Sequence, residues 1–391
     1  MPSIRRTAAA AVAVAALLVT VTACGPEDTK AVGQDGATEA GGSGGKSDGL
    51  KLPNGLPKDL DSLKKWEQGG WKDWDKETWA RKASEFANPV IKDLWKPSRM
   101  AKAADAPVVT TQSAGSGGAG ATDPEPRPVT AQQVERPYHQ HMAPIGKIFF
   151  DSPDGPMVCS GTVVSDPANP GKSNLVWTAG HCVHSGKNGG WMRNIVFVPS
   201  YNDNGLPANQ VSASSQQNVT PYGTWWADWS QTSSQWIDGG GHSGNAASAY
   251  DFAVLHVKPE NGGGKSLEET VGASLPVWFG APSGNGVTGL GSTKAIGYPA
   301  APPYDGAKMM NCLDRPVRLT MAPGTPAMHW IGCSMTGGTS GGGWLANHNG
   351  ELSLVSNSSI GSLDHTWLAG PHLGPEAKGV FDAISKKYAG Q

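Results

Sequence analysis

Short strands joined by glycine-rich loops predict an all-β chain, and three observations carry that expectation. From residue 147 onward, apolar and β-branched runs of roughly four to eight residues recur between Gly, Pro and Asn clusters. The 53 glycines and a charged content of only 16% suit loop-rich sheets better than helical bundles. Ten such runs spread over roughly 250 residues fit a sandwich or barrels.

The candidate strands are 147–150, 157–164, 175–178, 194–199, 251–257, 276–279, 293–297, 317–321, 328–333 and 352–355. Each is bounded by turn residues and is too short for a buried helix. A terminal helix is expected over 375–388. Net charge is −2, so no overall field directs the chain to nucleic acid.

The N-terminus has the form of an export signal, with Arg5 and Arg6 ahead of an apolar core over 8–21. That core is too short for a comfortable permanent span. Val21-Thr22-Ala23-Cys24 resembles a bacterial lipobox, in which the cysteine is diacylated and becomes the first residue of the mature chain. An ordinary signal peptide containing a cysteine is the plainer alternative. Five cysteines are present, Cys24, Cys159, Cys182, Cys312 and Cys333; lipid on Cys24 leaves four, enough for two disulfides in an oxidising compartment.

Composition divides the chain into a signal at 1–23, a lipidated flexible linker at 24–55, a Trp-rich helical module at 56–104, a low-complexity linker at 105–135 and a β domain at 136–391. The N-terminal region is thus partly helical or disordered. The Trp-rich module reads either as a prosegment packed on the β domain or as a polymer-binding module with exposed tryptophans. Trp225, Trp226, Trp229 and Trp236 fall in a Ser/Gly/Gln-rich insertion, where loop packing competes with a substrate rim. His184, His242, His256 and His348 lack metal-ligand spacing, and Asn202-Asp203-Asn204-Gly205 reads as a turn rather than a calcium loop.

Hydrolysing an amide with serine needs a base, a carboxylate to orient it and backbone donors for the oxyanion. Trp177-Thr178-Ala179-Gly180-His181-Cys182 runs a strand into a turn that presents a histidine. Tyr250-Asp251-Phe252-Ala253-Val254-Leu255 places an acid at the head of an apolar strand. Gly338-Thr339-Ser340-Gly341-Gly342-Gly343 surrounds a serine with glycines, which lets the backbone turn sharply beside a substrate.

These three elements, in the order His, Asp, Ser, resemble the trypsin/chymotrypsin-like serine proteases from about Ala143 to the C-terminus. Gly297-Tyr298-Pro299 is similar to a segment of the bacterial trypsin-like and glutamyl-endopeptidase-like enzymes. The resemblance implies two six-stranded antiparallel β-barrels with a C-terminal helix and a cleft between them. It implies a triad of His181, Asp251 and Ser340, an oxyanion hole at the amides of Gly338 and Ser340, and disulfides Cys159–Cys182 and Cys312–Cys333. It places Ser334 at the base of the substrate pocket, with Asn357 and Ser358 on the strand lining it. An uncharged pocket base favours an apolar or small residue at the cleaved bond.

The expected activity is endopeptidase hydrolysis through an acyl-enzyme, without metal or other cofactor. The protein is expected as a monomer acting on protein or peptide substrates, held by lipid on Cys24 at the outer face of the cytoplasmic membrane, or secreted if not lipidated. A non-catalytic envelope binding protein on the same fold is the alternative. One departure stands out: Thr339 occupies the position at which animal trypsins carry the aspartate that pairs with a newly cut N-terminus. A switch of that kind cannot operate here.

Overall fold

The computed structural model describes residues 65, 68–70, 72, 74–78, 86, 88–106, 109–111, 122–283 and 289–391. The export signal, Cys24, the glycine linkers and most of the Trp-rich stretch lie outside the described residues. Three short strands come first, β1 (Ala104–Asp105), β2 (Val109–Thr111) and β3 (Gln132–Gln133). Six then close into a barrel: β4 (Ile145–Ser152), β5 (Gly155–Val164), β6 (Leu175–Thr178), β7 (Arg193–Pro199), β8 (Trp225–Thr232) and β9 (Ala253–Pro259). Their order is β5-β4-β7-β8-β9-β6, and β6 returns to pair with β5.

The barrel strands read as nearly unbroken apolar runs because both faces are buried. Ile148, Phe150, Phe197, Trp225 and Leu255 share one core, while Phe149, Val198, Trp226 and Val254 belong to another on the opposite face. This is the period-2 alternation of a pleated strand with two apolar destinations. β8 falls where a Ser/Gly/Gln-rich insertion was expected. Its sequence hid it, since a bulge between Ala227 and Trp229 breaks the alternation.

The second half forms two five-stranded sheets. One has the order β15-β14-β10-β11-β3, with β10 (Thr293–Gly297), β11 (Met310–Asp314), β14 (Gly343–His348) and β15 (Glu351–Asn357). The other has the order β12-β13-β17-β16-β2, with β12 (Val317–Leu319), β13 (Met328–Gly332), β16 (Ile360–Ser362) and β17 (Trp367–Gly370). A shared core of Ala295, Ile331, Trp344, Val355 and Leu368 lies between them. Residues 276–279, expected as a strand, contribute a single bridge from Val277 to Leu354.

The terminal helix spans Pro375–Lys387. Proline at its start has no amide to leave unsatisfied, and Lys386 and Lys387 complement the dipole at its end. Ala377, Val380, Phe381 and Ile384 recur at helical spacing and are buried. Phe381 packs near Trp177 and Phe279.

The stretches ahead of the barrel are built into it. Asn88 joins two barrel strands, its amide donating to the carbonyls of Ile195 and Ala227 and accepting from the Ile195 amide, each at 2.8 Å. Trp95 is buried, donates to Asn194 O at 2.7 Å and lies under the Arg99 guanidinium, which pairs with Asp151 at 2.6 Å. Within 88–106 the helical content is one turn, Pro97–Met100. Residues 105–135, expected as a linker, supply β2, β3 and part of β1 to three different sheets.

Candidate active site

β6 ends at Thr178, and the next turn, Gly180–Cys182, is a short 3-10 helix carrying His181. Cys182 is joined to Cys159 of β5, so the turn is tied covalently to the neighbouring strand. Asp251 follows a capped 3-10 turn and precedes β9, the strand that pairs with β6. Adjacent strands therefore deliver the histidine and the acid to one end of the barrel.

His181 Nδ1 lies 2.7 Å from Asp251 Oδ2, and the His181 backbone N–H donates to Asp251 Oδ1 at 2.8 Å. Two contacts to one carboxylate fix both the ring and its loop. Since a carboxylate only accepts, the contact to Asp251 favours the tautomer with its proton on Nδ1 and the lone pair on Nε2. Asp251 is fully buried and accepts a further bond from Ser359 Oγ at 2.6 Å. The Asn357 amide donates to Asp251 O at 3.0 Å while accepting from the Trp177 indole at 3.0 Å.

Ser340 is carried to this place by β5. The Ser160 N–H donates to Ser340 O at 2.7 Å, and Ser160 directly follows the disulfide-bonded Cys159. The Ser160 hydroxyl donates to Gly338 O and accepts from the Tyr298 N–H, both at 2.9 Å. One strand thus anchors the histidine turn through sulfur and the serine loop through hydrogen bonds. His181 Nε2 and Ser340 Oγ are both buried, and neither has a hydrogen-bond partner among the described residues.

Two glycines of the loop cannot be replaced without strain. Gly338 has φ +90°, and a Cβ there would lie 2.7 Å from Tyr298 O. Gly341 has φ +76°, and a Cβ would collide with Thr178 Oγ1 and the Ser160 carbonyl. The amides of Gly338 and Ser340 donate to no group among the described residues. Thr339, between them, is buried, and its Oγ1 has no hydrogen-bond partner among the described residues.

Among solved structures, the chain is similar to a thermostable serine protease from an extremophilic microorganism. Identity is 28% over 62% of this chain and 97% of that one, with a TM-score of 0.50. The fold is that of the trypsin-like serine proteases. The protease Anisep from Arthrobacter nicotinovorans is also similar, at 31% identity, 65% and 99% coverage and a TM-score of 0.49. So is a Glu endopeptidase, at 18% identity, 68% and 99% coverage and a TM-score of 0.45. No protein-family model matches the sequence, and no curated protein does.

Within this trypsin-like fold the remaining expected site residues fall as follows. Ser334 is half-buried; its hydroxyl is 2.9 Å from Tyr304 Oη and accepts from the Ala131 N–H at 3.0 Å. Asn357 and Ser358, expected to line the pocket, direct their side chains inward. Asn357 is committed to Trp177 and Asp251, and Ser358 Oγ accepts from the Trp344 indole at 3.0 Å. Ser359 was missed. Its signal was the second serine of Ser358-Ser359, one residue beyond the pair chosen.

Cys312 is joined to Cys333, tying β11 to the segment that leads into the serine loop. Trp236 is buried beside His181, with ring centroids 6.0 Å apart, and its indole donates to His184 O at 2.8 Å. Among the described residues, His181, Cys159 and Cys182 form a cluster of metal-ligating types, but the two sulfurs are bonded to each other. Asn202 and Asp203 are occupied in a turn, the first holding Leu206 and Ala307 and the second His139.

Proposed function

We propose that the protein is a serine endopeptidase in which His181, Asp251 and Ser340 act as a unit. The observation that carries this reading is the polarity of His181: Nδ1 is held by a buried carboxylate, while Nε2 and Ser340 Oγ are buried and neither is hydrogen-bonded to any group among the described residues, each other included. Nε2 takes the hydroxyl proton as Oγ attacks the scissile carbonyl, and Asp251 stabilises the imidazolium so formed. The oxyanion receives the idle amides of Gly338 and Ser340. Nε2 then protonates the leaving amine, and water hydrolyses the acyl-enzyme by the same path in reverse.

The uncharged pair Ser334 and Tyr304 at the proposed pocket base favours an apolar or small side chain before the cleaved bond. Two disulfides fit an oxidising compartment outside the cytoplasm. Diacylation of Cys24 would hold the enzyme at the outer face of the membrane. A fluorophosphonate probe tests the chemistry, because covalent labelling needs an activated Ser340. Labelling lost in Ser340→Ala is the expected result; a chain that neither labels nor cleaves a peptide library in any form, wild type or variant, would overturn the reading.

A further inference from the structure

β1 and β2 add to the two sheet edges that flank the candidate site, and only Pro107 and Val108 join them in sequence. On one side, Ala104 and Asp105 pair in parallel with Met157 and Val158 of β5, and the Ala106 N–H donates to Val158 O at 3.2 Å. Val158 is two residues before Ser160, which holds the Ser340 carbonyl. On the other side, residues 109–111 pair in parallel with Ile360–Ser362 of β16. β16 begins one residue after Ser359, which holds Asp251.

The segment also presses on the serine loop. A Cβ on Gly337 would lie 2.7 Å from Asp105 Oδ2 and 3.0 Å from Ala106 O. Ala106 and His181 line one cavity of about 190 Å³, together with Met157, Met192 and Trp236. Asp105 therefore brings a carboxylate beside the peptide that leads into Gly338, where an oxyanion would need positive potential.

We infer that residues 104–106 and 109–111 are an internal inhibitory strap, which occupies the β5 and β16 edges beside the candidate site. The inference rests on the proposed peptidase activity and adds its regulation. An extended peptide adds to a free sheet edge through main-chain hydrogen bonds. Both edges are taken here by the chain's own backbone, at a local concentration that tethering sets on the order of millimolar. The strap is built to yield. Its two strands are two and three residues long, and parallel pairing is less stable per residue than antiparallel. A peptide that adds antiparallel displaces it. Thr339 excludes the buried carboxylate switch expected of animal trypsins, and the strap supplies control by a different route.

The test uses the full chain and two variants, Ala106→Pro, which removes the N–H bonded to Val158 O, and a Gly/Ser replacement of residues 104–106 and 109–111 at constant length. Fluorophosphonate labelling and peptide kcat/KM should rise about tenfold or more in both, through the lost N–H in the first and through the entropy of glycine and the lost Asp105 carboxylate in the second. A synthetic peptide of residues 102–113 added to the replaced chain should inhibit competitively and be recovered intact. If wild type and both variants cleave at equal rates, or if the added peptide is cut or fails to compete, the strap is overturned while the peptidase reading stands. If no form labels or cleaves, the peptidase reading fails and the strap with it.

Discussion

Ser359 donates a 2.6 Å hydrogen bond to Oδ2 of Asp251, the same oxygen that receives His181 Nδ1 at 2.7 Å. The carboxylate is thereby held from behind while it orients the imidazole. Ser359→Ala removes a bond to a charged acceptor, worth about 1.5–3 kcal/mol. The expected result is a kcat lowered roughly 10- to 100-fold with KM little changed. A merely structural role would lower the thermal midpoint and leave kcat of the folded protein unchanged, so kcat, KM and thermal stability measured together separate the two.

Ser340→Ala and His181→Ala should each lower kcat/KM by roughly 10⁴-fold or more while the fold is retained. Asp251→Asn should cost on the order of 10⁴, because an amide at that place favours the wrong histidine tautomer. Near-normal activity in Ser340→Ala, measured on freshly purified protein, would exclude it as the nucleophile.

The Cys159–Cys182 disulfide closes a loop with a sequence separation of 23. Chain entropy assigns such a loop about 3 kcal/mol. The double substitution Cys159→Ser, Cys182→Ser should lower the denaturation midpoint accordingly, and activity should fall further than stability because the His181 turn loses its tie to β5. Urea unfolding beside a peptide assay separates the two effects; an unchanged midpoint would contradict the expectation.

His329 is the second residue of β13, fully buried beside His372, with neither ring nitrogen bonded to a partner among the described residues. Burial holds its pKa down to about 3 from the ordinary 6.5. The unfolded chain takes up a proton below 6.5 and the folded chain does not until about 3, so stability falls as pH falls through that window. The slope reaches about 1.4 kcal/mol per pH unit for one such group. His184, held near 4 by burial, adds to the same trend. His329→Leu should flatten the decline, and thermal midpoints measured from pH 7 to pH 4 should diverge from wild type on acidification. Parallel curves would rule out this contribution.

Cys24, the cysteine left over once two disulfides are made, should carry two acyl chains at the mature N-terminus. Two chains suffice for stable anchoring where one does not. Intact mass of the N-terminal peptide decides it, and Cys24→Ser should block lipoprotein processing and leave an uncleaved or aberrantly released form. An unmodified Cys24 in the mature chain would make this a soluble secreted form.

The chemistry-bearing loops were legible in the sequence because each is set by local demands. A histidine on a turn, an acid heading a strand and a serine among glycines carry their constraints in adjacent residues. So does the terminal helix, whose apolar spacing at Ala377, Val380, Phe381 and Ile384 is complete within one segment. The short-strand character of the chain was legible for the same reason. What only the tertiary structure decided depends on partners distant in sequence. β8 became a barrel strand because Trp225 and Trp226 meet β7 and β9, not because its own pattern alternates. Ser359, rather than Asn357 or Ser358, reached the Asp251 carboxylate because it lies in the two-residue break between β15 and β16, where no strand periodicity fixes side-chain direction and the tertiary partner decides it. The pairings of residues 104–105 and 109–111 have no sequence pattern to announce them, since they are made by backbone groups that meet the edges of β5 and β16 only in the folded chain.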